Sequence, residues 1–186
     1  MPRKAEPVEM TIPNLITILR LILVPFVVVM INEGQWAAAF ALFAFAGISD
    51  GVDGFIARRF NMRTEFGAYI DPLADKALLV SIYVTLSIVG VLPGWIAIIV
   101  VSRDLMILAA ILVSRLMERP MPIRPLLVSK LNTAAQIAFA GLVLAIMAFG
   151  GAAGWIVPAG MWLVAVLTVI SGGAYLGRWL RHMAGA

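Results

Sequence analysis

The chain contains no cysteine and a single histidine, His182, close to its C-terminal end. Disulfides, thiolate nucleophiles and cysteine metal sites are thereby excluded, and zinc finds no suitable ligand set. Charge is scarce as well: 13% of the 186 residues are charged and 62% are hydrophobic. With a mean hydropathy of +1.02, the composition falls far outside the range of soluble globular domains. No polar stretch is long enough to fold as a separate soluble unit. Residues 1–186 therefore read as one membrane-embedded domain, with 1–10 as a short cytoplasmic N-terminal segment. The net charge of +4 is expected to meet anionic lipid headgroups, and nothing resembles a nucleic-acid module, so nucleic acid is excluded as a partner.

What is abundant is apolar sequence in runs of spanning length. Such runs fall at 12–31, 35–56, 69–90, 93–113, 129–149 and 155–177, separated by polar or Gly/Pro breaks. A span needs roughly 20 residues, so the expectation is an all-α integral membrane protein of six transmembrane helices. Arg20 interrupts the first run, which suits a retained span better than a cleaved signal. Lys and Arg cluster before the first run and after the second, fourth and sixth: Arg3 and Lys4; Arg58, Arg59 and Arg63; Arg115, Arg119 and Arg124; Arg178 and Arg181. The three other connections have none, which places both termini in the cytoplasm. Trp36, Trp95, Trp155 and Trp179 near run ends read as an interfacial belt. Pro25 and Pro158 read as tolerated helix prolines or as kinks, and SRLMERPMPIRP as a cytoplasmic surface loop.

Four aspartates break this pattern. Asp50 and Asp53 fall near the end of the second helix, Asp71 and Asp75 near the start of the third. Spacings of i, i+3 and i, i+4 put each pair on one side of its helix, so a two-helix hairpin could bring all four to one point. Clustered carboxylates in poorly solvated surroundings repel, and each charge in the membrane costs about 2.5 kcal/mol or more. Arg58, Arg59 and Lys76 could neutralise them as simple salt bridges; divalent ions are the alternative that also does chemistry. Gly47 and Gly51 have the Gly-x-x-x-Gly spacing of close helix packing. Gly54, beside Asp53, reads as facing a ligand, with Arg58 one turn on as a phosphate contact. Arg20 is expected to pair with Asp104 or a carbonyl, or to serve the site. A different class of function, a cation transporter using the aspartate cluster, would place them near the midplane between repeats; no second copy of the motif occurs in residues 90–186.

From Asp50 to Asp75 the sequence reads D-x2-D-G-x2-A-R-x8-G-x3-D-x3-D, eight fixed positions over 26 residues. This resembles the CDP-alcohol phosphatidyltransferases. The resemblance implies a membrane-embedded transferase of phospholipid biosynthesis with its site at the cytoplasmic face, expected in a bacterial inner membrane and as a homodimer. It further implies that Asp50, Asp53, Asp71 and Asp75 surround two divalent cations, Mg²⁺ or Mn²⁺. Gly54, Ala57, Arg58 and Gly67 would border the cytidine diphosphate of a CDP-diacylglycerol donor, and Asp75 would be the base. TIPNLITILRLILVP is similar to segments of members that use glycerol-type acceptors. DPLADKALLVSIYVTL, VSRDLMILAAILV and VSKLNTAAQ look closer to eukaryotic-type cardiolipin synthases than to the glycerol-3-phosphate enzymes, which usually carry Arg-Glu at Arg103–Asp104 and a second lysine at Asn132. A phosphodiester carries one negative charge and a phosphomonoester nearly two, so the neutral Asn132 favours phosphatidylglycerol as acceptor over glycerol 3-phosphate. Arg103 and Lys130 remain as candidate contacts for the acceptor phosphate.

Overall fold

The computed structural model describes residues 12–59, 65–117, 126–151 and 154–185, with the side chains of 12–15, 53–59, 65–73, 75 and 115 outside that description. The described residues are all-helical: α1 (Ile12–Asn32), α2 (Trp36–Arg59), α3 (Glu65–Ile88), α4 (Gly94–Leu116), α5 (Leu127–Phe149) and α6 (Ile156–Met183). Apolar composition and length make α4, α5 and α6 long enough to cross a membrane, and Ile16–Asn32, Trp36–Val52 and Lys76–Ile88 are shorter apolar stretches. The chain is a membrane protein. Its outward faces carry Leu105, Leu108 and Leu112 on α4 and Leu163, Val166 and Ile170 on α6, all exposed, as lipid rather than water would have them.

Each expected run forms one helix. The second and third extend further into the polar motif than hydropathy alone suggests, because Asp and Arg near a helix end are no barrier to helical backbone. Two ends are set by glycine: Gly90 (φ +79°) and Gly150 (φ +67°) lie just past α3 and α5 in the left-handed region that Gly enters without strain. Pro158 falls in the first turn of α6, where a missing N–H costs no helical bond; Pro25 is accommodated inside α1. The segment containing SRLMERPMPIRP lies largely outside the described residues.

Among the described residues, α1 packs on α2 and α3, α5 packs on α2, α3 and α6, and α4 packs on α3 and α6. The helices thus close two quartets, α1–α2–α5–α3 and α3–α4–α6–α5, which share the α3–α5 edge. No contact joins α2 to α3 directly among these residues. Among the described residues α1 and α5 each pack on α2 and each also pack on α3.

Burial divides the bundle along its length. Towards the short connections at 33–35, 89–93 and 150–155 lies an apolar core that includes Val27, Ile31, Ala39, Ile82, Leu86, Ile96, Val143, Leu144 and Val164. Towards the other end the buried set turns polar: Thr17, Arg20, Arg103, Asp104, Asn132, Gln136, Thr168 and Ser171. Alternating helix direction brings the start of α1, α3 and α5 and the end of α2, α4 and α6 to that polar end. It is also the end where the sequence gathers its arginines.

Gly47 and Gly51 are exposed, and a Cβ added at either would meet nothing within 4 Å. Among the described residues their spacing marks no contact within the chain. The packing glycines are Gly160, whose added Cβ would sit 2.6 Å from the Phe139 ring, and Gly141, 3.0 Å from Phe43.

Candidate functional site

Asp50, Asp53, Gly54, Ala57 and Arg58 fall within α2, and Gly67, Asp71 and Asp75 within α3. Helical backbone at both places keeps each aspartate pair on one side of its helix, as the spacing requires. Of these residues the side chain of Asp50 is described; Asp53, Gly54, Ala57, Arg58, Gly67, Asp71 and Asp75 lie, in that respect, outside the described residues.

Asp50 is held from α1. Arg20 Nη2 lies 2.6 Å from Asp50 Oδ1, with the arginine side chain 2% exposed and the aspartate 46% exposed. An uncompensated charge within a membrane helix costs about 3 kcal/mol, so a buried arginine demands such a partner. The expected pairing of Arg20 with Asp104 is not what forms. Helix α1 packs on α2 and α3 and makes no contact with α4 among the described residues, which puts Asp104 out of reach while Asp50, on the neighbouring helix, faces it.

Asp104 instead takes two other cations. Lys76 Nζ lies 2.5 Å from Asp104 Oδ1, and Arg103 Nη1 donates to the same oxygen at 2.7 Å. Lys76, which follows Asp75 directly, thus turns to α4 to pair with Asp104. Arg103 Nη2 donates to Ser171 Oγ at 2.7 Å and to Ser129 Oγ. The candidate acceptor contact Arg103 is therefore buried at the meeting of α4, α5 and α6, whereas Lys130, next to Ser129, is exposed.

A turn further along α5 the polar seam continues. Thr168 Oγ1 donates to Asn132 Oδ1 at 2.8 Å, Gln136 Nε2 donates to Thr168 Oγ1 at 3.2 Å, and Tyr83 Oη donates to the Gln136 carbonyl at 3.1 Å. Arg103 Nε and Asn132 Nδ2 are buried donors with no partner among the described residues. Nothing singled out Gln136 or Thr168 in the sequence, although Asn132 and Gln136 at i, i+4 on an apolar helix, and Thr168 and Ser171 at i, i+3, were the signal available. Trp179, expected in the interfacial belt, donates its indole N–H to Ser114 Oγ at 2.9 Å and to the Ala110 carbonyl at 3.1 Å, tying α6 to α4. A partly buried indole N–H needs such a partner.

The donor set on α2 and α3 is all carboxylate, the chemistry that Mg²⁺ and Mn²⁺ take. Asp50 fits it: Arg20 engages one oxygen, and the side chain stays half exposed on the α2 side of α1. Among the described residues Lys76 and Arg103 pair with Asp104 and Arg20 pairs with Asp50.

A family model described as CDP-alcohol phosphatidyltransferase matches residues 10–170. The chain is 40% identical over 151 residues, 73% of its length, to a probable cardiolipin synthase (CMP-forming) of Drosophila melanogaster, of which it covers 47%. It is 35% identical over 179 residues to a probable phosphatidylglycerophosphate synthase of Mycobacterium tuberculosis, covering 92% of this chain and 83% of that one. To the CDP-diacylglycerol–glycerol-3-phosphate 3-phosphatidyltransferase of Bacillus subtilis it is 30% identical over 183 residues, 90% of this chain and 94% of that one. The chain spans about half the length of the cardiolipin synthases it matches.

Proposed function

The chain belongs to the CDP-alcohol phosphatidyltransferase family, and from that premise we propose that it moves a phosphatidyl group from CDP-diacylglycerol to a glycerol-type acceptor with release of CMP. The observation that supports this reading most directly is the half-exposed carboxylate of Asp50, held from α1 by Arg20. Helices α2 and α3, which carry the two halves of the motif, both pack on α1, the helix that carries Arg20.

In this reading Asp50, Asp53, Asp71 and Asp75 would hold two divalent ions, Mg²⁺ or Mn²⁺, which would offset charge on the phosphates when bound. Gly54, Ala57, Arg58 and Gly67 border the cytidine diphosphate, with the guanidinium of Arg58 suited to a phosphate oxygen. Asp75 takes the proton from the acceptor hydroxyl. The oxygen so exposed bonds to the phosphorus bearing the diacylglycerol, and the bond from that phosphorus to the CMP oxygen breaks. All six helices cross the membrane, with both termini and the motif at the cytoplasmic face of a bacterial inner membrane. This placement is supported by the arginines and by the polar end of the bundle. Residues 1–186 act as one domain, and the working unit is a homodimer.

For the acceptor, the reading favours phosphatidylglycerol, giving cardiolipin. Its support is the neutral seam around Asn132, which hydrogen-bonds to Thr168 and adds no cation to Arg103 and Lys130. That balance suits one phosphodiester charge better than a phosphomonoester. Purified protein given labelled CDP-diacylglycerol and Mn²⁺, with phosphatidylglycerol and glycerol 3-phosphate in parallel, should release CMP with the first and form cardiolipin. Phosphatidylglycerophosphate as the main product would replace the acceptor. Silence with both would end the transferase reading.

A further inference from the structure

Arg20 is an expensive residue to place where it lies: a permanent charge, 2% exposed, and the one ionisable side chain in α1. An acid that joins helices can be enclosed together with the cations that neutralise it. That is how Asp104 is treated, at 8% exposure with two cations on it. Asp50 is treated differently: the arginine is fully enclosed, the carboxylate is 46% exposed, and the contact engages Oδ1. One end of this pair is locked by packing and the other is presented outward.

We propose that Arg20 is a positioning residue: from α1 it fixes the Asp50 carboxylate through Oδ1 so that the remaining lone pairs point to a divalent ion. The inference rests on the reading of Asp50 as an ion ligand. Three features support it. Helix α1 packs on both motif helices, so a side chain rooted in it is a fixed reference for the space between them. A guanidinium is planar and holds its charge at any working pH, which makes it a stiff, permanent donor. Its charge also offsets one of four carboxylates that would otherwise repel one another when no ion is present. Ligating carboxylates are commonly held in this way, and loss of the holding partner weakens metal binding by about 10- to 100-fold.

The test measures Mn²⁺ binding to purified, detergent-solubilised full-length chain by electron paramagnetic resonance, without substrate. The set comprises wild type, R20K, R20Q, D50N and the double variant R20Q/D50N. R20Q should weaken Mn²⁺ binding by about 10-fold or more, and R20K, which keeps the charge but loses the fork, should fall between R20Q and wild type. In the D50N background R20Q should add nothing, because its effect runs through Asp50. Unchanged Mn²⁺ affinity in R20Q with only a lowered melting temperature would make Arg20 a structural counter-ion and overturn the proposal, as would full additivity of R20Q and D50N. If R20Q does not elute as a folded species, R20K decides: several-fold weaker Mn²⁺ binding supports the proposal and wild-type binding rejects it. D50N that binds Mn²⁺ as wild type does would instead remove the reading of Asp50 as an ion ligand, and the proposal with it.

Discussion

Around Asp50 the enclosed partner is the cation and the carboxylate is left half exposed; around Asp104 the carboxylate is enclosed and two cations converge on one of its oxygens. Both arrangements neutralise charge inside a membrane protein. They differ in what remains for a ligand to use. At Asp50 the protein has spent buried surface on the group that does no chemistry, which leaves the anionic oxygen available. At Asp104 the acid serves as a hub joining α3 to α4, and the neighbouring Arg103 Nε and Asn132 Nδ2 are buried donors with no partner among the described residues. The first leaves its carboxylate half exposed, and the second encloses its own.

The contrast can be broken most severely at the motif. Asp75→Asn should abolish CMP release, a loss of at least about 10²-fold for a removed general base, while retaining part of the Mn²⁺ binding; Asp71→Asn should lose both. Near-normal turnover in Asp75→Asn would take the base role away from it. At the hub the expected effect is on stability. Asp104→Asn leaves Arg103 enclosed without its counter-charge, which costs roughly 3–5 kcal/mol for a fully buried pair. Lys76 stays 35% exposed, so the low end of that range is expected, read as a lower melting temperature in detergent with Mn²⁺ affinity unchanged. A large fall in Mn²⁺ affinity would mean that the two clusters are one. Smallest is a pair of glycine variants away from both clusters. Gly160→Ala drives a methyl against Phe139 and should destabilise by about 2 kcal/mol, whereas Gly47→Ala meets open space and should leave the melting temperature unchanged.

The helices were legible because hydropathy reports directly on what a lipid-facing or core-facing segment needs. The eight-position motif was legible because its chemistry is written in local spacing. What could not be read was who stands beside whom. Arg20 was free to choose among acids on several helices, and only the order α1 beside α2, with α4 beyond reach, selects Asp50 over Asp104. Glycine spacing is equally silent on neighbours: Gly47 and Gly51 have the packing pattern but meet nothing among the described residues, whereas Gly141 and Gly160 lack it and press on phenylalanine rings. Trp179 sits at a run end, yet its indole finds Ser114 on another helix. In each case the sequence specifies a need, for a partner or for space, and the packing order decides which residue meets it.

Helices α3 and α5 belong to both quartets at once, so they act as a party wall. The helix that carries Asp71 and Asp75 is thus the same one that the Asp104 hub grips through Lys76.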